Sequence, residues 1–163
     1  MEGSIEVFCG QGRGKSAAAV GLCVRGASRG MQAIIIRFLK GKDSKQLDYL
    51  KRIEPEVQFF TFEKQNKCYS DQTEAEKEET KKNIQISLNY AKKVIDLCQC
   101  DILVLDEILE LVPVGLVTEE TLIELIQRKD DDMQVILTGK ELPDSMKPYV
   151  DNVYSVDIVK ESI

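Results

Sequence analysis

The chain has 163 residues, 43% of them hydrophobic, with 22 Lys and Arg against 28 Asp and Glu for a net charge of −6. This is ordinary globular composition, long enough to bury a core without disulfide or metal staples, and it lacks the basic footprint of a dedicated nucleic-acid binder. No His is present, which excludes a Ser-His-Asp or Cys-His nucleophile, a His general base and any His-ligated metal, and leaves carboxylates, Lys, Arg, backbone N–H groups, Ser, Thr, Tyr or Cys to do the chemistry.

The five cysteines, Cys9, Cys23, Cys68, Cys98 and Cys100, form no C-x-x-C pair and read as reduced thiols serving as small hydrophobes. The Met-Glu-Gly-Ser start has no signal-peptide character, and no apolar run approaches the ~18 residues of a membrane helix. A soluble cytoplasmic protein with no membrane partner is expected.

Ser4 to Cys9 reads as a short strand, followed at once by the glycine-rich GQGRGKS. A helix rich in small residues is predicted from about Lys15 to Arg29, with Gly30 as its stop. Ala33 to Phe38 is a continuous apolar run of the kind buried on both faces of a sheet, and Val57 to Phe62 is another candidate strand. Thr73 and Glu76 form a capping box. The helix they open has a core stripe at Ile84, Leu88, Ala91, Ile95 and Cys98, and its charged start, Glu74 to Lys82, reads as a solvated face. Asp101 to Leu105 is a buried-type strand leading into Asp106 and Glu107. Thr118 caps a short helix, Met133 to Thr138 is a strand with Gly139 as its turn, and a short helix at Asp144 to Tyr149 precedes a last strand from Asn152 to Ile158. Apolar strands alternating with helices predict one α/β domain over residues 1–163 with a mainly parallel sheet.

The strand–GQGRGKS–helix unit is the strongest chemical signal. Glycines let successive N–H groups curl around phosphate oxygens, and the helix N-terminus adds its positive dipole end. Lys15 can then reach the phosphates and the Ser16 hydroxyl can ligand Mg²⁺. The loop is a variant P-loop, with Cys9 where the usual pattern has Gly and a second cation at Arg13. DILVLDE resembles a Walker B segment, a buried strand delivering Asp106 and Glu107, one of which would hold the metal directly or through water.

With both motifs placed, the chain resembles the P-loop ATP:corrinoid adenosyltransferases of cobalamin biosynthesis and salvage. The resemblance runs through GQGRGKSA, GLCVRGASRG, IIIRFLKG, ILVLDE and VILTG. It implies a RecA-like P-loop fold and a reaction in which a cob(I) corrinoid attacks C5′ of ATP and inorganic triphosphate leaves. By the same resemblance Gly10, Gln11, Gly12, Arg13, Gly14, Lys15, Ser16 and Ala17 bind ATP, with Arg25 contacting the nucleotide. Ser16, Asp106 and Glu107 hold Mg²⁺ or Mn²⁺, and Lys15 and Glu107 are the catalytic pair. It also implies a homodimer, a reductase such as flavodoxin as electron donor, and no nucleic-acid partner. The family's aromatic segment against the lower corrinoid face is matched here by Lys67 to Asp71, with Cys68 and Ser70 where bulky aromatics are usual and only Tyr69 retained. Position 37 is Arg where Gln is usual. A P-loop ATPase or nucleotide-dependent regulator without corrinoid chemistry is the second reading of these residues, and a small kinase the third.

Overall fold

The computed structural model describes residues 3–39 and 49–162. The last two residues of the FLKG segment, Lys40 and Gly41, lie outside them.

Six strands form one sheet: β1 (Ile5–Cys9), β2 (Ala33–Arg37), β3 (Val57–Thr61), β4 (Ile102–Asp106), β5 (Gln134–Thr138) and β6 (Asn152–Ser155). Their spatial order is β3-β2-β4-β5-β1-β6, and every pair is parallel. Parallel neighbours need crossover connections, and right-handed crossovers running in opposite directions along a sheet must use opposite faces. Helix α1 (Lys15–Ala27) links β1 to β2 on one face. Helices α2 (Glu74–Asp96) and α3 (Glu119–Gln127) link β3 to β4 and β4 to β5 on the other. This is the P-loop NTPase fold of RecA-like type.

The core divides by strand parity. Ile35, Val104 and Ile136 pack with Ala19 and Cys23 of α1. Ile36, Leu103, Leu105 and Leu137 pack with Ile84, Leu88, Ala91 and Ile95 of α2 and with Leu122 and Ile126 of α3. Because a strand's side chains alternate, the β2, β4 and β5 residues two places beyond 35, 104 and 136 share the α1 face. They are Arg37, Asp106 and Thr138.

Both predicted caps form. The Thr73 side chain accepts from the Glu76 N–H at 3.2 Å while Glu76 accepts from the Thr73 N–H at 2.9 Å, and the Thr118 hydroxyl accepts from the Thr121 N–H at 3.1 Å. Gly30 has φ 85° just beyond α1. All five cysteines are free.

Some expectations change. Cys98 leaves the α2 stripe: the helix ends at Asp96, and Cys98 sits exposed at φ 48°. The charged start of α2 is not wholly solvated, since Thr80 is 1% exposed. The short helix at Asp144–Tyr149 forms, as a 3₁₀ helix, while β6 stops at Ser155 rather than Ile158. Gly139 stands at the bend after β5 and also serves close approach, because a Cβ there would lie 2.4 Å from the Leu109 Cβ.

Candidate functional site

The C-terminal ends of β1, β4 and β5 converge on α1, where open parallel sheets bind ligands. Gly14, at φ 104°, is the N-cap of α1. The first helical hydrogen bond runs from the Ala18 N–H to the Gly14 carbonyl at 2.8 Å, so the N–H groups of Lys15, Ser16 and Ala17 have no helical acceptor. They form a ready anion site. The N–H groups of Gly10 and Gly12 are differently employed: they donate to the Lys140 carbonyl at 2.8 Å and the Val156 carbonyl at 2.7 Å. Those bonds pin the loop to the ends of β5 and β6. Gln11 and Arg13 are exposed at its rim. The Lys15 ammonium crosses the loop and donates to the carbonyls of Gly10 at 2.8 Å and Gly12 at 2.7 Å.

Asp106 is the hub beneath the loop. Arg37 is directly opposite it in the β2–β4 register, and Thr138 follows the Leu105–Leu137 pair on β5. The Asp106 Oδ1 accepts from the Ser16 hydroxyl at 2.7 Å and from the Thr138 hydroxyl at 2.8 Å, while Oδ2 accepts from the Arg37 Nε at 3.0 Å. The Arg37 guanidinium also lies 5.8 Å over the Phe59 ring. The Asp106 side chain is 3% exposed and that of Arg37 14%, so this is a largely buried ion pair rather than a surface one.

Glu107 faces elsewhere. Its φ of 63° is left-handed, which turns the chain off the strand, and its N–H donates to the Thr138 hydroxyl at 2.8 Å. Its carboxyl lines a cavity of about 310 Å³ shared with Glu63, Tyr69, Gln72, Thr80 and Glu110. Burial, then the negative charge of Asp106, pushes the Glu107 carboxyl up from 4.5 to about 7. Its raised folded value means that Glu107 favours the fold fully only below about pH 4.5, and that this contribution disappears as pH rises through 7. Glu107→Gln should therefore match the parent near pH 4.5 and exceed it at pH 8 by up to about 3 kcal/mol, read by urea unfolding in chelator at both pH values. A difference independent of pH would contradict this.

The structure thus joins Lys15, Ser16 and Asp106 around one loop and places Glu107 in the neighbouring cavity, still within electrostatic reach of Asp106, Arg37 and Lys15. It also leaves Arg25 apart: exposed in the last turn of α1, it stands about 15 Å of helical rise from Lys15. Thr138 and Glu63 are site residues that sequence reasoning missed. Thr138 is signalled only by ending the apolar run before Gly139.

The Ser16 hydroxyl and Asp106 carboxylate are hard oxygen donors suited to Mg²⁺ or Mn²⁺. Among the described residues no three acidic or thiol side chains gather into a metal cage.

Residues 1–163 match the ATP:corrinoid adenosyltransferases BtuR/CobO/CobP. The chain belongs to this adenosyltransferase family. A comparison with curated proteins finds no match. Among solved structures, a KaiC-like protein from the hyperthermophilic archaeon Pyrococcus horikoshii OT3 is similar at 16% identity, with 99% of this chain and 76% of that one covered and a TM-score of 0.63. A DNA replication initiation factor aligns at 15% identity over 96% of this chain and 40% of that one, with a TM-score of 0.45. The first likeness supports the fold, and the family match bears on the chemistry. No helix among the described residues is long and apolar enough to cross a membrane.

Proposed function

We propose that this adenosyltransferase-family protein transfers the 5′-deoxyadenosyl group of ATP to a cob(I) corrinoid and releases inorganic triphosphate, in cobalamin biosynthesis or salvage. The observation that carries this is the 2.7 Å bond from Ser16 to Asp106, which ties the strand-end acid to the first turn of α1 beside the loop lysine. The whole-chain family match supports this transfer over the other reactions P-loops perform.

The reaction balances without a protein nucleophile. The cobalt(I) electron pair forms the bond to C5′, the C5′–O bond breaks, and its electrons leave on triphosphate. The protein's part is alignment and charge stabilisation. Lys15 exchanges the Gly10 and Gly12 carbonyls for phosphate oxygens. The N–H groups of Lys15, Ser16 and Ala17 point the dipole end of α1 at the same anion. A Mg²⁺ or Mn²⁺ ion bound through Ser16 and Asp106 would offset leaving-group charge when present. Arg37 and Thr138 hold Asp106 in place, so that Ser16 is oriented before ATP arrives. Glu107 faces the adjoining cavity, beside the turn 67–71 that corresponds to the family's corrinoid-facing segment. A homodimer, a flavodoxin-type electron donor and a cytoplasmic setting belong to the same proposal.

Incubation with ATP, Mg²⁺ and chemically reduced cob(I)alamin should produce the adenosylcobalamin spectrum together with free triphosphate. Orthophosphate released without a corrinoid would instead make the protein an ATPase.

A further inference from the structure

Val156 directly follows β6 and is half-buried between exposed neighbours, Ser155 and Asp157. Both of its backbone groups bond to the phosphate loop. Its N–H donates to the Cys9 carbonyl at 2.7 Å, and its carbonyl accepts from the Gly12 N–H at 2.7 Å. One residue thus bridges the first turn of the loop, from Cys9 to Gly12. The approach leaves no room for side chains: a Cβ on Gly10 would lie 2.4 Å from the Val156 carbonyl oxygen, and a Cβ on Gly12 would lie 2.7 Å from it. Gly10 also has φ 109°, which glycine alone adopts at little cost. Gly12 lies outside the left-handed region, so the Val156 backbone is the constraint on that position.

Lys15 holds the same two glycines by their carbonyls, at 2.8 and 2.7 Å. The two holds respond differently to ATP. The Lys15 bonds are given up when the ammonium turns to phosphate oxygens. The Val156 bonds use no group that the phosphates need, since the anion is met by Lys15 and by the N–H groups of Lys15, Ser16 and Ala17. We infer that Val156 is a positioning residue for nucleotide binding: its backbone keeps the loop curved once Lys15 has left the Gly10 and Gly12 carbonyls for the triphosphate. A loop held in its bound shape loses less conformational freedom on binding, and the difference appears as affinity. The empty loop still has Lys15 to hold it, so losing the Val156 contact falls mainly on the loaded state. The inference rests on the loop being the ATP site of the adenosyl-transfer proposal and adds to it a residue outside the motif.

The test is a calorimetric titration of the full chain with MgATP and, separately, with magnesium and inorganic triphosphate. Val156→Pro removes the N–H that bonds Cys9, whereas Val156→Ala keeps both backbone groups. V156A should bind both ligands within about twofold of the parent, and V156P about tenfold more weakly, the scale of one net hydrogen bond. The ligand-free melting temperature of V156P should stay within a few degrees of the parent, which a merely structural role would not allow. Equal losses for ATP and triphosphate place the effect on the phosphates rather than on the nucleoside. Parent-like affinity in V156P would overturn the inference, and so would V156A as weak as V156P, because the side chain would then be acting. Should V156P not fold, Gly12→Ala is the second variant, its Cβ pressing on the Val156 carbonyl; parent-like triphosphate affinity in G12A would overturn the inference equally. A parent that binds both ligands but yields no adenosyl product from cob(I)alamin would overturn the transfer proposal and leave this inference standing. Binding of neither ligand would overturn both.

Discussion

Lys15→Ala should weaken ATP binding by at least about a hundredfold while leaving the fold intact. Lys15 is half-buried at the loop, and its ammonium is held by the Gly10 and Gly12 carbonyls at 2.8 and 2.7 Å. A triphosphate would exchange these neutral acceptors for charged ones, turning two ammonium–carbonyl bonds into charge-assisted ion pairs. Losing two of them, together with the point charge on a tetra-anionic ligand, is a change of several kcal/mol. Calorimetric titration with ATP reads the loss directly, and a thermal melt within a few degrees of the parent shows that the fold survives. Lys15→Arg should recover only part of the affinity, because a planar fork cannot occupy the narrow space of an ammonium. Unchanged ATP affinity in the alanine variant would remove the loop from the site.

Asp106→Ala should be the most destabilising single change at the site, costing about 3–5 kcal/mol in urea unfolding. The carboxylate is 3% exposed and takes bonds from Ser16, Thr138 and Arg37. Without it the largely buried Arg37 guanidinium, at 14% exposure, keeps the Phe59 ring face and the more distant Glu107 but loses its hydrogen-bonded counter-ion. Most of the cost is that stranded charge rather than the net worth of the pair. The double variant Asp106→Ala with Arg37→Leu should therefore recover a large part of the loss, a coupling that a double-mutant cycle isolates. Additive effects of the two changes would show that Arg37 and Asp106 are not energetically linked. Asp106→Asn should fall between, since the amide keeps one oxygen for the two hydroxyls but brings an N–H₂ to the arginine.

Much of the architecture was legible because local rules agreed with it. The apolar runs at Ala33 to Phe38 and Asp101 to Leu105 are too continuous for a half-exposed strand, and they became the adjoining buried strands β2 and β4. Thr73 with Glu76, and Thr118, announced the starts of α2 and α3 through side chains that can reach a backbone N–H within one turn. The loop was legible for the same reason, its glycines, Lys15 and Ser16 being contiguous. Cys98 misled because a helical period continues on paper after the helix has ended; nothing local marks Asp96 as the last helical residue.

The site residues that were missed are those brought in across strands. Thr138 reaches Asp106 over 32 residues of chain, because β5 inserts between β1 and β4 rather than following the order of the sequence. Arg37 was notable only as a departure from the family's usual Gln. Its role as the counter-ion of Asp106 depends on the β2–β4 register. Glu63 looked like one acid among 28, until burial and an unpaired oxygen set it apart.

By itself the sequence determined the class of chemistry. A chain without His, with a phosphate loop and a strand-end acid pair, is suited to positioning ATP and stabilising a leaving anion, and is not equipped to supply a His-activated nucleophile of its own. Only the tertiary structure decided where the Asp106 and Glu107 carboxyls lie. Alternation along β4 commits Asp106 to the α1 face, where Ser16, Thr138 and Arg37 meet it. The left-handed backbone at Glu107 then sends the next carboxyl into a separate acidic cavity. Two adjacent letters share a motif in one dimension, but side-chain direction is set by strand parity and backbone turn, and both exist only once the sheet is assembled.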